Sequence, residues 1–136
     1  ALENELLQFT DLDTLLHSSD IVSLHCPLTP QTQGMIDRAA IAKMKDRAIL
    51  INTGRGAVVE QEAVLEALNS GKLYVYATDV FCQEPCGRDN PLALHPRCIA
   101  TPHVAWAPTE TRQKIVDIAG ENVRAFLAGQ PVNVVQ

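Results

Sequence analysis

The fold is decided by the stretch AILINTGRG, which occupies residues 48–56. Its first part, Ile49 to Ile51, is apolar and uncharged, as expected of a strand that is buried on both faces of a parallel sheet. The run ends in Asn52-Thr53-Gly54-Arg55-Gly56, whose glycines permit a tight turn and a close approach of the backbone to a ligand. Arg55 therefore follows the carboxyl end of a buried strand, where open α/β sheets bind ligands. On this stretch alone, an ordinary turn whose arginine pairs with a surface carboxylate is an open alternative.

Similar apolar runs recur along the chain and alternate with helical patterns. Beside the strand at 48–52, they predict strands at 21–25, 73–77 and 98–100, and a short edge strand at 6–9. Residues at helical spacing predict a helix that carries Leu12, Leu15 and Leu16, and further helices at 37–45, 60–69 and 109–127. Such alternation is typical of βαβ units. It predicts an α/β fold with a partial Rossmann-like, doubly wound parallel sheet.

Two helices have particularly clear patterns. The helix at 60–69 is followed by Gly71, which is suited to a left-handed cap. The helix at 109–127 is followed by Gly129 and Pro131, which stop helices. Its residues that are expected to face the core are Ile115, Ile118, Ala119, Val123 and Phe126.

Length and composition exclude several classes of protein. The chain has 136 residues, enough for a single domain with its own core. The net charge of −5 makes nucleic acid an unexpected partner, and no apolar run approaches the roughly 20 residues that span a bilayer. The first residues do not have the pattern of a signal peptide, which predicts a cytoplasmic protein.

The four cysteines are expected to be reduced thiols. Their spacing matches neither a zinc pattern nor a dense disulfide framework, and reduced thiols are typical of the cytosol. Cys82 and Cys86 could form part of a metal site, but no helical periodicity would bring them together. No metal is therefore expected.

Polar residues follow each predicted strand, and parallel crossovers place all those strand ends on one edge. The residues concerned are His25, Cys26 and Pro27, then Thr53 and Arg55, then Asp79 and Glu84, and finally His103. Arginine binds carboxylates in a bidentate way, and a histidine beside a carboxylate suits acid–base chemistry near neutral pH. Taken singly, each carboxylate could be a helix cap and each histidine a surface residue. Their coincidence on several strands favours a site.

Three segments resemble the D-isomer-specific 2-hydroxyacid dehydrogenases. They are ILINTGRG at 49–56, DVFCQEP at 79–85 and TPHVA at 101–105. The segment DIVSLHCPLTP at 20–30 is similar to the same family, so the resemblance covers nearly the whole chain. Trp106 and the segment DNPL at 89–92 are most similar to the glycerate dehydrogenase, or hydroxypyruvate reductase, branch. Formate dehydrogenases of the family have glutamine in place of Glu84, which disfavours that branch.

The resemblance implies a hydride transfer between NAD, with NADP as an alternative, and a small D-2-hydroxy acid. Arg55 would hold the substrate carboxylate and 2-oxo group, His103 would exchange a proton with the carbonyl oxygen, and Glu84 would favour protonated His103. Asp79 would bind the nicotinamide side of the cofactor. The remaining residues expected to line the cofactor cleft are His25, Cys26, Pro27, Thr53, Gly54 and Ala105, together with Arg55 and His103.

The chain departs from the family pattern in one respect. It contains no G-x-G-x-x-G, the glycine loop that places the pyrophosphate at a helix N-terminus. Residues 1–136 are therefore expected to be a single partial dinucleotide-binding domain, the second mononucleotide half of a Rossmann fold. Its helix 109–127 would return toward a missing substrate domain. Such a piece would be inactive alone, and the family implies a homodimer. The alternative is a cofactor-sensing binding protein of the corepressor type, which shares the fold and motifs.

Overall fold

A computed structural model describes residue 4 and residues 6–135 of the chain. In chain order its helices and strands are α1 (Leu12–Ser18), β1 (Ile21–Leu24), α2 (Arg38–Lys43), β2 (Ala48–Asn52), a 3₁₀ helix at Gly56–Val58, α3 (Gln61–Ser70), β3 (Leu73–Thr78), β4 (Cys98–Ala100) and α4 (Thr109–Leu127). They divide between two compact units, Ala1–Pro102 and His103–Gln136. No helix within the described residues is both long enough and apolar enough to cross a membrane.

The first unit is built on one parallel sheet with the strand order β1-β2-β3-β4. The order and the direction confirm the predicted α/β fold, because each strand is added beside the previous one through a crossover connection. Residues in one register row, Val22, Leu50 and Tyr76, are all buried. They form the face of the sheet on which the core is built. Their row ends at Cys98 on β4, which is half-buried and packs against that core.

The opposite face of the sheet is more open than predicted. Ile49 and Ile51 of β2 are half-buried, although the apolar run predicts burial on both faces. At the ends of the sheet, Ile21 is 58% exposed and Ile99 is 61% exposed. An uninterrupted apolar run therefore indicates that a strand is central, but not that both of its faces are covered within the described residues.

Local signals set the ends of the helices that cover the core. Asp11 accepts a hydrogen bond from the amide of Thr14 at the start of α1, and Asp37 accepts one from Ala40 at the start of α2, as expected of N-caps. Helix α3 ends at Gly71, whose φ is 83°, as predicted. Along α3 the buried residues recur at helical spacing and are Ala63, Val64, Ala67 and Leu68.

Two predictions about the ends of the chain are wrong. Leu6–Phe9 is not a strand. There, Asn4 Oδ1 accepts hydrogen bonds from the amides of Leu6 at 2.8 Å and Leu7 at 2.9 Å, which closes a turn.

Helix α4 has the predicted bounds, but none of its residues is buried. The residues predicted to face inward are exposed, namely Ile115, Ile118, Ala119, Val123 and Phe126.

Candidate functional site

The carboxyl edge of the sheet collects polar side chains from all four strands. His25 follows β1, Thr53 follows β2, Asp79 follows β3 and Thr101 follows β4. Because the strands are parallel, these residues all leave the sheet on the same side. Hydrogen bonds join each pair of neighbouring strand ends.

The ends of β1 and β2 are connected through the imidazole of His25. Its Nε2 lies 2.8 Å from Ser23 Oγ, and its Nδ1 lies 3.3 Å from Thr53 Oγ1. A neutral imidazole has one donor and one acceptor nitrogen, whereas a hydroxyl can serve either role. The two hydroxyls can therefore satisfy either tautomer of His25, and the ring is fixed in place at this edge.

The loop after β1 lies close to the turn after β2. A Cβ added to Gly54 would be 3.0 Å from the carbonyl oxygen of Cys26, so a glycine allows the two backbones to approach. Cys26 is half-buried. The next residue, Pro27, has its carbonyl oxygen 2.7 Å from the hydroxyl of Thr32, which donates a hydrogen bond to it. The predicted cofactor-lining residues of this loop are thus held by local contacts.

The turn that carries Arg55 is organised by Asn52. The Asn52 side chain is completely buried. Its Nδ2 donates to the carbonyl oxygen of Arg55 at 3.0 Å, and its Oδ1 accepts from the amide of Gly54 at 3.0 Å. The Arg55 guanidinium is exposed and donates to the carbonyl oxygen of Gly54 at 2.8 Å. Asn52 was not among the predicted site residues, although an asparagine that ends a strand before a glycine is a known turn former.

Asp79 connects β3 to both of its neighbours. It is 5% exposed, and its amide donates to the carbonyl oxygen of Asn52 at 3.0 Å. Its carboxylate accepts a short hydrogen bond from the hydroxyl of Thr101. The amide of Thr101 in turn donates to the carbonyl oxygen of Thr78 at 3.0 Å. A buried carboxylate is thus held in one orientation at the centre of the edge.

Glu84 lies in the loop that follows β3. Its side chain is exposed, and Oε1 accepts a hydrogen bond from the amide of Phe81 at 2.9 Å. This contact closes a turn over residues 81–84.

The last two predicted site residues belong to the second unit. His103 and Ala105 lie in the turn before α4, and the His103 side chain is half-buried. His25, Thr53, Arg55 and Asp79 belong to the first unit, and His103 and Ala105 belong to the second.

Burial favours the neutral forms of three ionisable groups near β3 and β4. It raises the pKa of the Cys98 thiol to about 11, and it also raises the pKa of Cys82 and of the Tyr76 phenol. A neutral thiol is a poor nucleophile and a poor metal ligand. All four cysteines are free, and the described residues contain no cluster of three or more side chains that could hold a metal ion.

Comparison with known proteins gives consistent matches. Residues 1–105 match the family described as "D-isomer specific 2-hydroxyacid dehydrogenase, NAD binding domain". A hydroxypyruvate reductase from Blautia hydrogenotrophica is 48% identical over 99% of this chain and 42% of its own length. A glycerate dehydrogenase from Methylorubrum extorquens is also 48% identical, over 93% of this chain and 41% of its own length. The chain thus spans about two fifths of the relatives that it matches.

A solved structure has the same arrangement of the backbone. The NAD-dependent formate dehydrogenase from Staphylococcus aureus, crystallised in complex with NAD, matches with a TM-score of 0.85 and 32% identity. The match covers 99% of this chain and 42% of that structure.

Proposed function

Because the chain belongs to the NAD-binding domain family of the D-isomer-specific 2-hydroxyacid dehydrogenases, we propose that it works as one part of such an enzyme. The proposed reaction is a hydride transfer between NAD(P) and a D-2-hydroxy acid, either glycerate and hydroxypyruvate or glyoxylate and its reduced form. The observation that carries the proposal is the locked turn at Arg55, which presents an exposed guanidinium at the carboxyl end of β2. The names of the two relatives, a hydroxypyruvate reductase and a glycerate dehydrogenase, favour the first of these substrate pairs.

The carboxyl edge has groups that suit part of a nicotinamide cofactor. Asp79 offers a fixed carboxylate that can accept a hydrogen bond from the carboxamide, and His25 and Thr53 offer polar groups on the neighbouring strands. Gly54 has no Cβ, so it leaves room for a ligand beside these polar groups. The bound nicotinamide would supply or accept the hydride. The chain offers no glycine loop for the pyrophosphate, so we propose that this loop comes from another part of the enzyme.

The chain's own residues would bind the substrate and move the proton. Arg55 would hold the carboxylate of the 2-oxo acid and polarise its oxo group, since a guanidinium matches two oxygens in one plane. His103 would donate a proton to the carbonyl oxygen during reduction and remove it during oxidation. Glu84 would favour the protonated imidazole. These roles follow from membership of the family together with the position of each residue after a strand.

Arg55→Ala in the intact enzyme is expected to raise KM for the oxo acid and to lower kcat as well. Hydrogen bonds to charged groups contribute about 1.5–3 kcal/mol, so kcat/KM should fall by about tenfold to a hundredfold. Arg55→Lys should restore only part of the loss, because an ammonium cannot form the bidentate pair. Steady-state reduction of hydroxypyruvate and glyoxylate measures both constants. Arg38→Ala is the control, because Arg38 lies on α2 and forms an ion pair with Glu66 on α3. Equal constants for the Arg55 and Arg38 variants would contradict the role of Arg55.

The isolated 136-residue chain is expected to bind NAD weakly or not at all. The reason is that the phosphates would lack both the glycine turn and the helix N-terminus that normally bind them. Isothermal titration calorimetry with NAD measures the dissociation constant of the isolated chain, and the intact enzyme is the positive control. Micromolar affinity of the isolated chain would show that its own residues are sufficient for binding.

Three further properties are proposed, two on chemical grounds and one from the family resemblance. Four free thiols are typical of a reducing compartment, which supports a cytoplasmic location. The acidic balance of the chain gives no basic surface for nucleic acid. A homodimer is proposed because the family resemblance implies one.

A further inference from the structure

The backbone of His103 has an unusual conformation. Its φ is 53°, which is the left-handed region that residues other than glycine rarely occupy. The orientation of the Cα–Cβ bond depends on φ and ψ, so this conformation determines where the imidazole can point. A residue in this region keeps its conformation only when the surrounding contacts hold it there.

Trp106 supplies such a contact from within the same turn. Its indole Nε1 donates a hydrogen bond to the carbonyl oxygen of His103 at 2.7 Å, and an indole N–H can act only as a donor. The amide of Ala107 donates to the carbonyl oxygen of Val104 at 2.9 Å. Two consecutive carbonyl groups are therefore fixed, which sets the orientation of the peptide group that follows His103.

The indole N–H gives this side chain a specific contact with the turn. Trp106 is 54% exposed, so its ring is far from being a core residue. Its indole nitrogen reaches the backbone carbonyl group of the residue three positions earlier in the turn.

We propose that Trp106 is a positioning residue for His103: its indole N–H holds the left-handed backbone that directs the imidazole toward the substrate oxygen. The inference rests on the proposed function, in which His103 is the proton donor. Proton transfer requires the donor to be within hydrogen-bonding distance of the oxygen, and a displacement of about 1 Å can reduce a rate by about a hundredfold. Trp106 itself touches neither proton nor substrate in this role.

The test is Trp106→Phe in the intact enzyme, which removes the N–H but keeps an aromatic ring. We expect kcat for reduction of the oxo acid to fall by about tenfold to a hundredfold, with little change in KM. Tyr74→Phe is the matched control, because it also removes a polar group from an exposed ring and because Tyr74 belongs to β3 and not to the turn. It should leave both constants unchanged. The thermal unfolding midpoint of each variant should equal that of the wild type.

A double substitution separates positioning from a general structural role. If Trp106 acts through His103, then Trp106→Phe should have no further effect on kcat in a His103→Ala background. An equal loss in both backgrounds would overturn the inference, and so would a change in KM alone, which would assign Trp106 to substrate contact. A damaged His103→Ala enzyme beside an unaffected Trp106→Phe enzyme would overturn only the positioning role. Near-normal turnover by His103→Ala would overturn the proposed role of His103 as the proton donor and, with it, the positioning role of Trp106.

Discussion

His103→Ala is expected to lower kcat for reduction of hydroxypyruvate or glyoxylate by about 10²–10⁴-fold, which is the usual contribution of a positioned acid or base. In the proposed reaction, the carbonyl oxygen would gain negative charge as the hydride arrives at carbon 2, and a proton from the imidazole would neutralise it. Because this interaction strengthens in the transition state, its loss should reduce kcat and kcat/KM by similar factors. KM should therefore change little, in contrast to the result expected for Arg55→Ala.

His17→Ala is the matched control for this experiment. His17 lies on α1, where its Nδ1 is 2.7 Å from the carbonyl oxygen of Asp13, and it has no place in the proposed site. Its loss should leave kcat within about twofold of the wild type, as expected of a surface substitution. If His103→Ala retained near-normal turnover, the proton would have to come from another group. If the intact protein had no turnover at all but still bound the cofactor, the corepressor-type alternative would be favoured.

Most of the sheet could be predicted from the sequence, because its signals are local. The strands at 48–52 and 98–100 have the predicted bounds, and those at 21–24 and 73–78 differ by one residue. Gly71 and Asp37 cap helices α3 and α2 as their residue types require. These features depend on neighbours within a few positions, which are visible in a single sequence.

Features that depend on what covers a surface could not be predicted. The apolar stripe of α4 identifies a helix, but periodicity does not reveal which surface covers that stripe. At Leu6–Phe9, the side chain of Asn4 competes for the backbone and closes a turn instead of a strand. The order of the residues along the sheet edge could be predicted, because parallel strands end on the same edge of a sheet. The hydrogen bonds among these residues, such as those of Asn52, could not be predicted from the sequence and are seen only in the structure.

Gly56 shows most clearly what a single sequence does not reveal. It was expected to let the backbone approach a ligand. The structure shows instead an approach to another segment of the chain. A Cβ added to Gly56 would lie 2.1 Å from the carbonyl carbon of Phe81, 2.3 Å from its oxygen and 2.4 Å from the amide nitrogen of Cys82. Phe81 is distant in the sequence, and nothing in either segment alone indicates that they touch.

Gly56→Ala is therefore expected to destabilise the fold severely. The clashing atoms belong to the backbone, which cannot rotate away as a side chain can, so the turn after β2 and the segment after β3 would have to separate. Excess volume in a packed interior costs about 1–3 kcal/mol and occasionally more, and we expect at least about 3 kcal/mol here. Domains are stable by only about 5–15 kcal/mol, so a large part of the stability would be lost.

The measurement is the thermal unfolding midpoint of the intact enzyme, together with the yield of soluble protein. Gly120→Ala is the control, because a Cβ there would be 3.7 Å from the nearest atom, Arg124 Nη2, and Gly120 lies within α4. Alanine is favoured over glycine inside a helix by about 1 kcal/mol, so this variant should unfold at the same temperature as the wild type or higher. The Gly56 variant should unfold at a clearly lower temperature and lose turnover as well, since the displaced segments carry Arg55 and Asp79. An unchanged unfolding midpoint for Gly56→Ala would mean that the two backbones do not approach each other as closely as the structure shows.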